Sequence, residues 1–208
     1  MAGKVHQRFI GTPAAPQTRL LIEQFRIRKP MPTFNESLKV FQSSDAASFA
    51  GALFQDSFNS AFPVPAAYRI LDTQIQPENW RQYVAVYTWP DGTAECVGFC
   101  NWIKYKDVYL EGGLAVQKNF YRRLAKPHFA ECTASGGIAQ IMMETAATKL
   151  TDCAAWFGYC GDLKALRVDL RAGYVETEHP YLLVKWMQTL SASEQQARID
   201  DVTRIGPF

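Results

Sequence analysis

No apolar run in this 208-residue sequence approaches the length needed to span a bilayer, so no membrane-spanning helix is expected from it. Net charge is scarce too. At +2 the chain carries no strong overall field, which removes the usual basis for nucleic-acid or anionic-membrane binding. The five cysteines (Cys96, Cys100, Cys132, Cys153, Cys160) are an odd number without a Cys-x-x-Cys pair. That pattern argues against a disulfide framework and a zinc site, and predicts free thiols in a reducing cytoplasm with no metal. The first residues, MAGKVHQRFIGTPAAPQTRLL, lack a continuous apolar core and do not read as a signal peptide. No glycine turn is followed by Gly-Lys-Ser/Thr and no Gly-x-Gly-x-x-Gly occurs, so the Walker and dinucleotide fingerprints are absent.

What is present suits a globular domain: 48% hydrophobic and 20% charged residues in a chain long enough for a full core. Residues 1–36 are polar and broken by prolines, and are expected to form an arm or extension before a domain at 37–208. SLKVFQ (37–42) alternates like a strand, and SSD then caps a helix from Ala46. In that helix Phe49, Ala50, Leu53, Phe54 and Phe58 recur at helical spacing and predict one apolar face. Residues 66–82 suggest one or two short helices. QYVAVYTW (82–89), AECVGFCNWIKY (94–105) and VYLEGGLAV (108–116), separated by the turns PDGT and KD, read as an antiparallel meander.

After Val116 a loop is expected to lead to Gly136 and Gly137, which open a helix reaching Leu150. A helix apolar over so much of its circumference should lie on a sheet. A short buried strand follows (152–159), then a helix capped by Asp162 and closed by Gly173, then closing strands around His179–Pro180. A helix that starts on glycines offers unpaired N–H groups and the positive end of its dipole to an anion, while the same glycines serve equally well in a turn without a ligand.

This order resembles the GCN5-related N-acetyltransferase (GNAT) superfamily over about residues 37–188: a meander, a glycine turn, a buried helix, a strand, and a helix ending in Gly-aromatic. Ala134-Ser135-Gly136-Gly137-Ile138-Ala139 is similar to the family's Gln/Arg-x-x-Gly-x-Gly/Ala pyrophosphate turn, with Ala134 in place of the leading Gln/Arg. Asp162-Leu163-Lys164-Ala165, followed by Gly173-Tyr174, resembles the family's Asn-x-x-Ala helix and its closing Gly-Phe. The resemblance implies an α/β (α+β) fold with a mixed, mostly antiparallel central sheet flanked by helices. It also implies acetyl-CoA or another acyl-CoA as co-substrate and a small-molecule or peptide amine as acceptor, attacked directly in a ternary complex. It permits a homodimer.

Under the resemblance, Leu114, Ala115 and Val116 would pair with pantetheine, and Ser135, Gly136, Gly137, Ile138 and Ala139 would cradle the diphosphate. Arg122 or Arg123, in a basic cluster with Lys118 and Lys126, would meet the 3′-phosphate. Each of these cations reads equally as part of a solvated loop. Glu111 is the candidate base, with an exposed strand carboxylate as the alternative. Asp169 stands where the family often has a tyrosine that protonates the leaving thiolate, and Tyr159, Tyr121 or solvent are the other donors. His128, His179 and Cys160 read as structural. Asp169 and Ala134 also fit a second reading, an acyl-CoA-binding module without turnover, and the 117–133 segment fits a third, a transferase of larger acyl or aminoacyl groups.

Overall fold

Seven strands form one sheet, because three long β-rich segments alternate side chains between two buried faces. The computed structural model describes residues 31–63, 69–71 and 73–208; the expected arm falls largely on residues outside these. The elements lie in the unit Pro32–Phe208. In chain order they are α1 (Phe34–Ser37), β1 (Leu38–Gln42), α2 (Ala46–Phe58), β2 (Arg69–Ile70), β3 (Thr73–Gln74), β4 (Trp80–Thr88), β5 (Ala94–Tyr105) and β6 (Val108–Val116). Then follow α3 (Phe120–Arg123), α4 (Lys126–Ala134), α5 (Ile138–Ala147), β7 (Ala155–Tyr159), α6 (Leu163–Arg171), β8 (Val175–Glu176), β9 (Leu182–Trp186) and α7 (Ala192–Thr203).

The sheet runs β1-β4-β5-β6-β7-β9-β8. Every neighbouring pair is antiparallel except β6 and β7, which run parallel. Tyr83, Ala85, Tyr87, Cys100, Trp102 and Trp156 point to a first face, where they pack with Ile138, Met142, Met143 and Ala146 of α5. Their neighbours point to the opposite, second face. Val84 and Phe99 meet α2 there, while Trp80, Ile103, Leu110 and Phe157 meet α7. Gly98 permits the close seat of α5: a Cβ there would lie 2.6 Å from Met142 Sδ and 2.8 Å from Ile138 Cγ2. The meander, glycine turn, sheet-packed helix, parallel strand and second helix thus stand in the expected GNAT-like order.

Several local expectations are corrected. The segment 117–133 is not a loop: it holds α3 and α4, with Pro127 in the first turn of α4, where its missing N–H costs no helical bond. In place of the expected helices, Arg69–Ile70 pairs antiparallel with Thr73–Gln74, Pro77–Asn79 is a 3₁₀ turn, and pairing with β5 begins at Trp80. In α2 the buried residues are Ala46, Ala50, Leu53 and Phe54. Phe49 and Phe58 stay over 40% exposed, stacked on Phe41 and Phe54. The helix ends at Asn59, which is left-handed with φ 51°, ahead of either proline. The α7 helix was not anticipated. Its signal is the capping box Ser191-x-x-Glu194, in which Ser191 Oγ accepts from the Glu194 N–H while Glu194 accepts from the Ser191 N–H.

Candidate active site

The site exists because β6 and β7 stop pairing. Their register runs from Val108–Ala155 to Glu111–Gly158, and beyond that point β6 continues to Val116 without β7 beside it. The strand bulges there: Asn101 of β5 pairs with Gly113 and Trp102 with Glu111, leaving Gly112 extra. Gly113 has φ 134°, which a side chain would disfavour. The parted strands open a cleft of about 810 Å³, lined by Gly112–Val116 of β6, Gly158–Asp162, α6 residues including Val168 and Asp169, Ala139 of α5, Phe58 and Phe208. One edge of Gly112–Val116 therefore has no strand partner, and its backbone groups face the cleft.

Glu111 stands at the apex, on the first face. Tyr174 Oη donates to its Oε2 at 2.9 Å. A Cβ on Gly158 would come within 3.4 Å of the same oxygen, so the glycine makes room for the carboxylate. Burial, and then the neighbouring Asp169 charge, push the Glu111 carboxyl up to about 8, against the opposing pull of the Tyr174 hydrogen bond. Asp169, 8% exposed on α6, is also raised by burial, with the Cys160 thiol acting against the shift. Cys160 itself is pushed up to about 12, chiefly by burial, which disfavours its thiolate. Asp162 fixes the start of α6, its Oδ1 accepting from Lys164 N–H at 2.8 Å and Ala165 N–H at 2.9 Å.

Glu111, Asp169 and Tyr159 all line the cleft; the Asp169 charge bears on Glu111, while Tyr159 extends from the second face and packs edge-on against Phe208 at 5.2 Å. Leu114, Ala115 and Val116 line the cleft. The glycine turn is partly occupied by the chain itself. Gly136 and Gly137, at φ 79° and 89°, donate to the Thr133 and Cys132 carbonyls at 3.0 and 2.9 Å and so close α4. Ile138 N–H donates to Tyr121 Oη at 3.1 Å. Ser135 is exposed and its Oγ donates to the Glu131 carbonyl. Two first-turn donors of α5 stay free: no hydrogen bond to the Ala139 or Gln140 N–H is present among the described residues. Buried Gln140 Oε1 also lacks a partner.

Of the basic cluster, only Lys118 reaches the cleft, donating to the Asp56 carbonyl at 3.0 Å. Arg123 is turned away, 2.7 Å from Glu95 and 4.1 Å above the Trp89 ring. Arg122 and Lys126 are exposed. Sequence reasoning missed Arg171, whose Nη2 lies 3.4 Å from the Gly136 carbonyl, because 35 residues separate it from the turn it serves. His128 is structural: its Nε2 donates to the Pro32 carbonyl at 2.6 Å, so Nδ1 accepts from Tyr87 Oη at 2.5 Å.

No protein-family model matches the sequence, and no curated protein matches it. Among solved structures the chain is similar to the ribosomal-protein-S18-alanine N-acetyltransferase of Escherichia coli, at 11% identity and TM-score 0.49, over 74% of this chain and 97% of that one. It is also similar to the putative N-acetyltransferase YhhK of Escherichia coli bound to coenzyme A, at 12% identity and TM-score 0.45, over 72% and 98%. A third is the Campylobacter jejuni N-acetyltransferase PseH in complex with acetyl coenzyme A, at 13% identity and TM-score 0.35, over 53% and 70%. The GNAT-like architecture of this chain rests on its own strand order and on the parting of β6 from β7.

Proposed function

We propose that the protein is an acyl-CoA-dependent N-acyltransferase of GNAT type, transferring acetyl from acetyl-CoA to a primary amine in a ternary complex. The carrying observation is the cleft between β6 and β7 with a carboxyl of raised pKa at its apex. A thioester arm laid along Leu114–Val116 would use the unpaired strand edge, as a further strand would. Its diphosphate would meet the free Ala139 and Gln140 N–H groups and the positive end of the α5 dipole, with Arg171 beside the turn. Exposed Arg122 and Lys126 and the cleft-lining Lys118 are the cations of that cluster left for the 3′-phosphate.

An alkylammonium must lose a proton before it attacks. Ionised Glu111 takes it; the neutral amine nitrogen then bonds to the thioester carbon, the C–S bond breaks, and the second proton that the nitrogen sheds in becoming an amide goes to the leaving thiolate. Asp169, raised by burial, is the carboxyl beside Glu111 that could relay that second proton from nitrogen to sulfur. The test mixes the protein with acetyl-CoA and an amine panel and reads free thiol. Amine-dependent thiol release is expected, reduced about 100-fold in Glu111→Gln with CoA affinity retained. Asp169 and Ala134, which stand where the family often has a tyrosine and a Gln/Arg, favour a second reading, a binding module; tight CoA binding without thiol release on any amine selects it.

A further inference from the structure

Three aromatic rings reach the cleft from separate parts of the chain. Phe58 ends α2, Tyr159 ends β7 and Phe208 lies beyond α7, and all three line the cleft. All belong to the second face. Tyr159 and Phe208 pack with the residues under α7, and Phe58 stacks at 4.6 Å on Phe54 of the cluster under α2. Both groups border the point where the strands part. A Cβ on Gly113 would lie 3.5 Å from the Phe58 ring, and Tyr159 directly follows Gly158, the last residue of β7 paired with β6. Folding leaves these rings partly in water: Phe58 is 43% exposed, and Tyr159 and Phe208 are half-buried. A ligand that covers them gains the burial that folding did not take.

The groups suited to the donor's diphosphate lie on the other face. α5, whose first turn holds the free N–H groups, packs on the first face, and so does α6 through Leu166 and Val168. Glu111 stands on that face too, yet it lines the same cleft as the three rings. Parting of β6 from β7 therefore opens a passage through the sheet, with the carboxyl toward one side and the rings toward the other. A donor anchored from the first face leaves the aromatic mouth to the second reactant.

Resting on the acyltransferase reading, we propose that Phe58, Tyr159 and Phe208 form the acceptor subsite, and that the acceptor is an arylalkylamine. Its nitrogen meets the Glu111 carboxylate, its short alkyl link passes between the parted strands, and the three rings enclose its aromatic end. A small alkylamine reaches Glu111 but leaves the rings in water.

The test is calorimetric and needs no turnover. 2-Phenylethylamine and ethylamine, which share the reacting end, are titrated into protein saturated with CoA. The wild type is expected to bind the phenyl compound at least tenfold more tightly, as burial of a phenyl group predicts. Phe58→Ala and Phe208→Ala should each cut that preference about fivefold with CoA affinity kept, and Phe208→Tyr, which retains the ring, should preserve it. Equal binding of the two amines, a preference that survives both alanine variants, or a loss of CoA affinity in step with the amine overturns the subsite. So does a preference for phenylacetyl-CoA over acetyl-CoA that the alanine variants abolish while the two amines bind alike, since the rings then hold the acyl group. Failure of CoA itself to bind the wild type is a different result: it overturns the acyltransferase reading, and the two amines are then compared on free protein, where the same preference still decides the role of the rings.

Discussion

At the residue scale the chemistry concentrates on Glu111, where burial and the Asp169 charge push one way and the Tyr174 hydroxyl pulls the other. An acid whose folded pKa is about 8 keeps its proton where the unfolded chain has lost it. Folding stability therefore falls as pH rises from the unfolded value, about 4.3, through 8. Glu111→Gln removes this penalty. Its Tm should exceed that of the wild type by about 2–4 °C at pH 9 and by less at pH 5, measured by thermal melts; a constant difference would contradict the raised pKa. For activity the sign is opposite, because only the ionised form accepts a proton. The acetylation rate should climb with pH through about 8 in the wild type and flatten in Glu111→Gln. Tyr174→Phe deletes the hydrogen bond that favours the ionised form, so its pH–rate curve should move to higher pH; a curve unmoved or moved to lower pH would remove Tyr174 from that role. Sequence alone could place Glu111 on a strand, but its burial depends on Asp169 and Tyr174, 58 and 63 residues further on, brought together by the α6 crossover.

At the scale of elements, the glycine turn and the α6 cap show what local chemistry makes legible. Asp162 is the N-cap as its position before Leu163 predicts, since its side chain has two orphan N–H groups within reach. Asp162→Ala should lower Tm by about 2–4 °C near neutral pH. Its two backbone hydrogen bonds hold the carboxyl below the usual range, so this contribution is present above the unfolded value and lost as pH falls through the folded one. The gap between wild type and variant should close in acid. The Gly136–Gly137 turn was legible as a turn, but not its double duty. Both glycines close α4, a helix whose weak apolar pattern and interior position after Pro127 hid it from periodicity. Gly137→Val should both destabilise the fold and weaken CoA binding at least tenfold, about 1.4 kcal/mol, since φ 89° is strained for valine and its Cβ would lie 2.8 Å from Tyr121 Oη. Melts and calorimetry read the two effects separately. Unchanged affinity in a folded variant would detach the turn from the diphosphate.

At the scale of the whole molecule, the meander was readable because alternation and the PDGT turn are short-range signals, and β5 and β6 occupy the residues they predict. The cleft was not readable in the same way. It depends on a parallel strand that pairs with β6 for four residues and then leaves it, and on the Gly112 bulge, which shows only once β5 and β6 are in register. The central claim is that the unpaired edge of β6 and the open first turn of α5 together receive an acyl-CoA. Amide hydrogen exchange with and without acetyl-CoA tests it most directly. Exchange should slow at Leu114–Val116 and at Ala139 and Gln140, with Gly136 and Gly137, already bonded within the chain, changing little. Saturating acetyl-CoA that leaves both segments unprotected, or protects only residues outside the cleft, would contradict it.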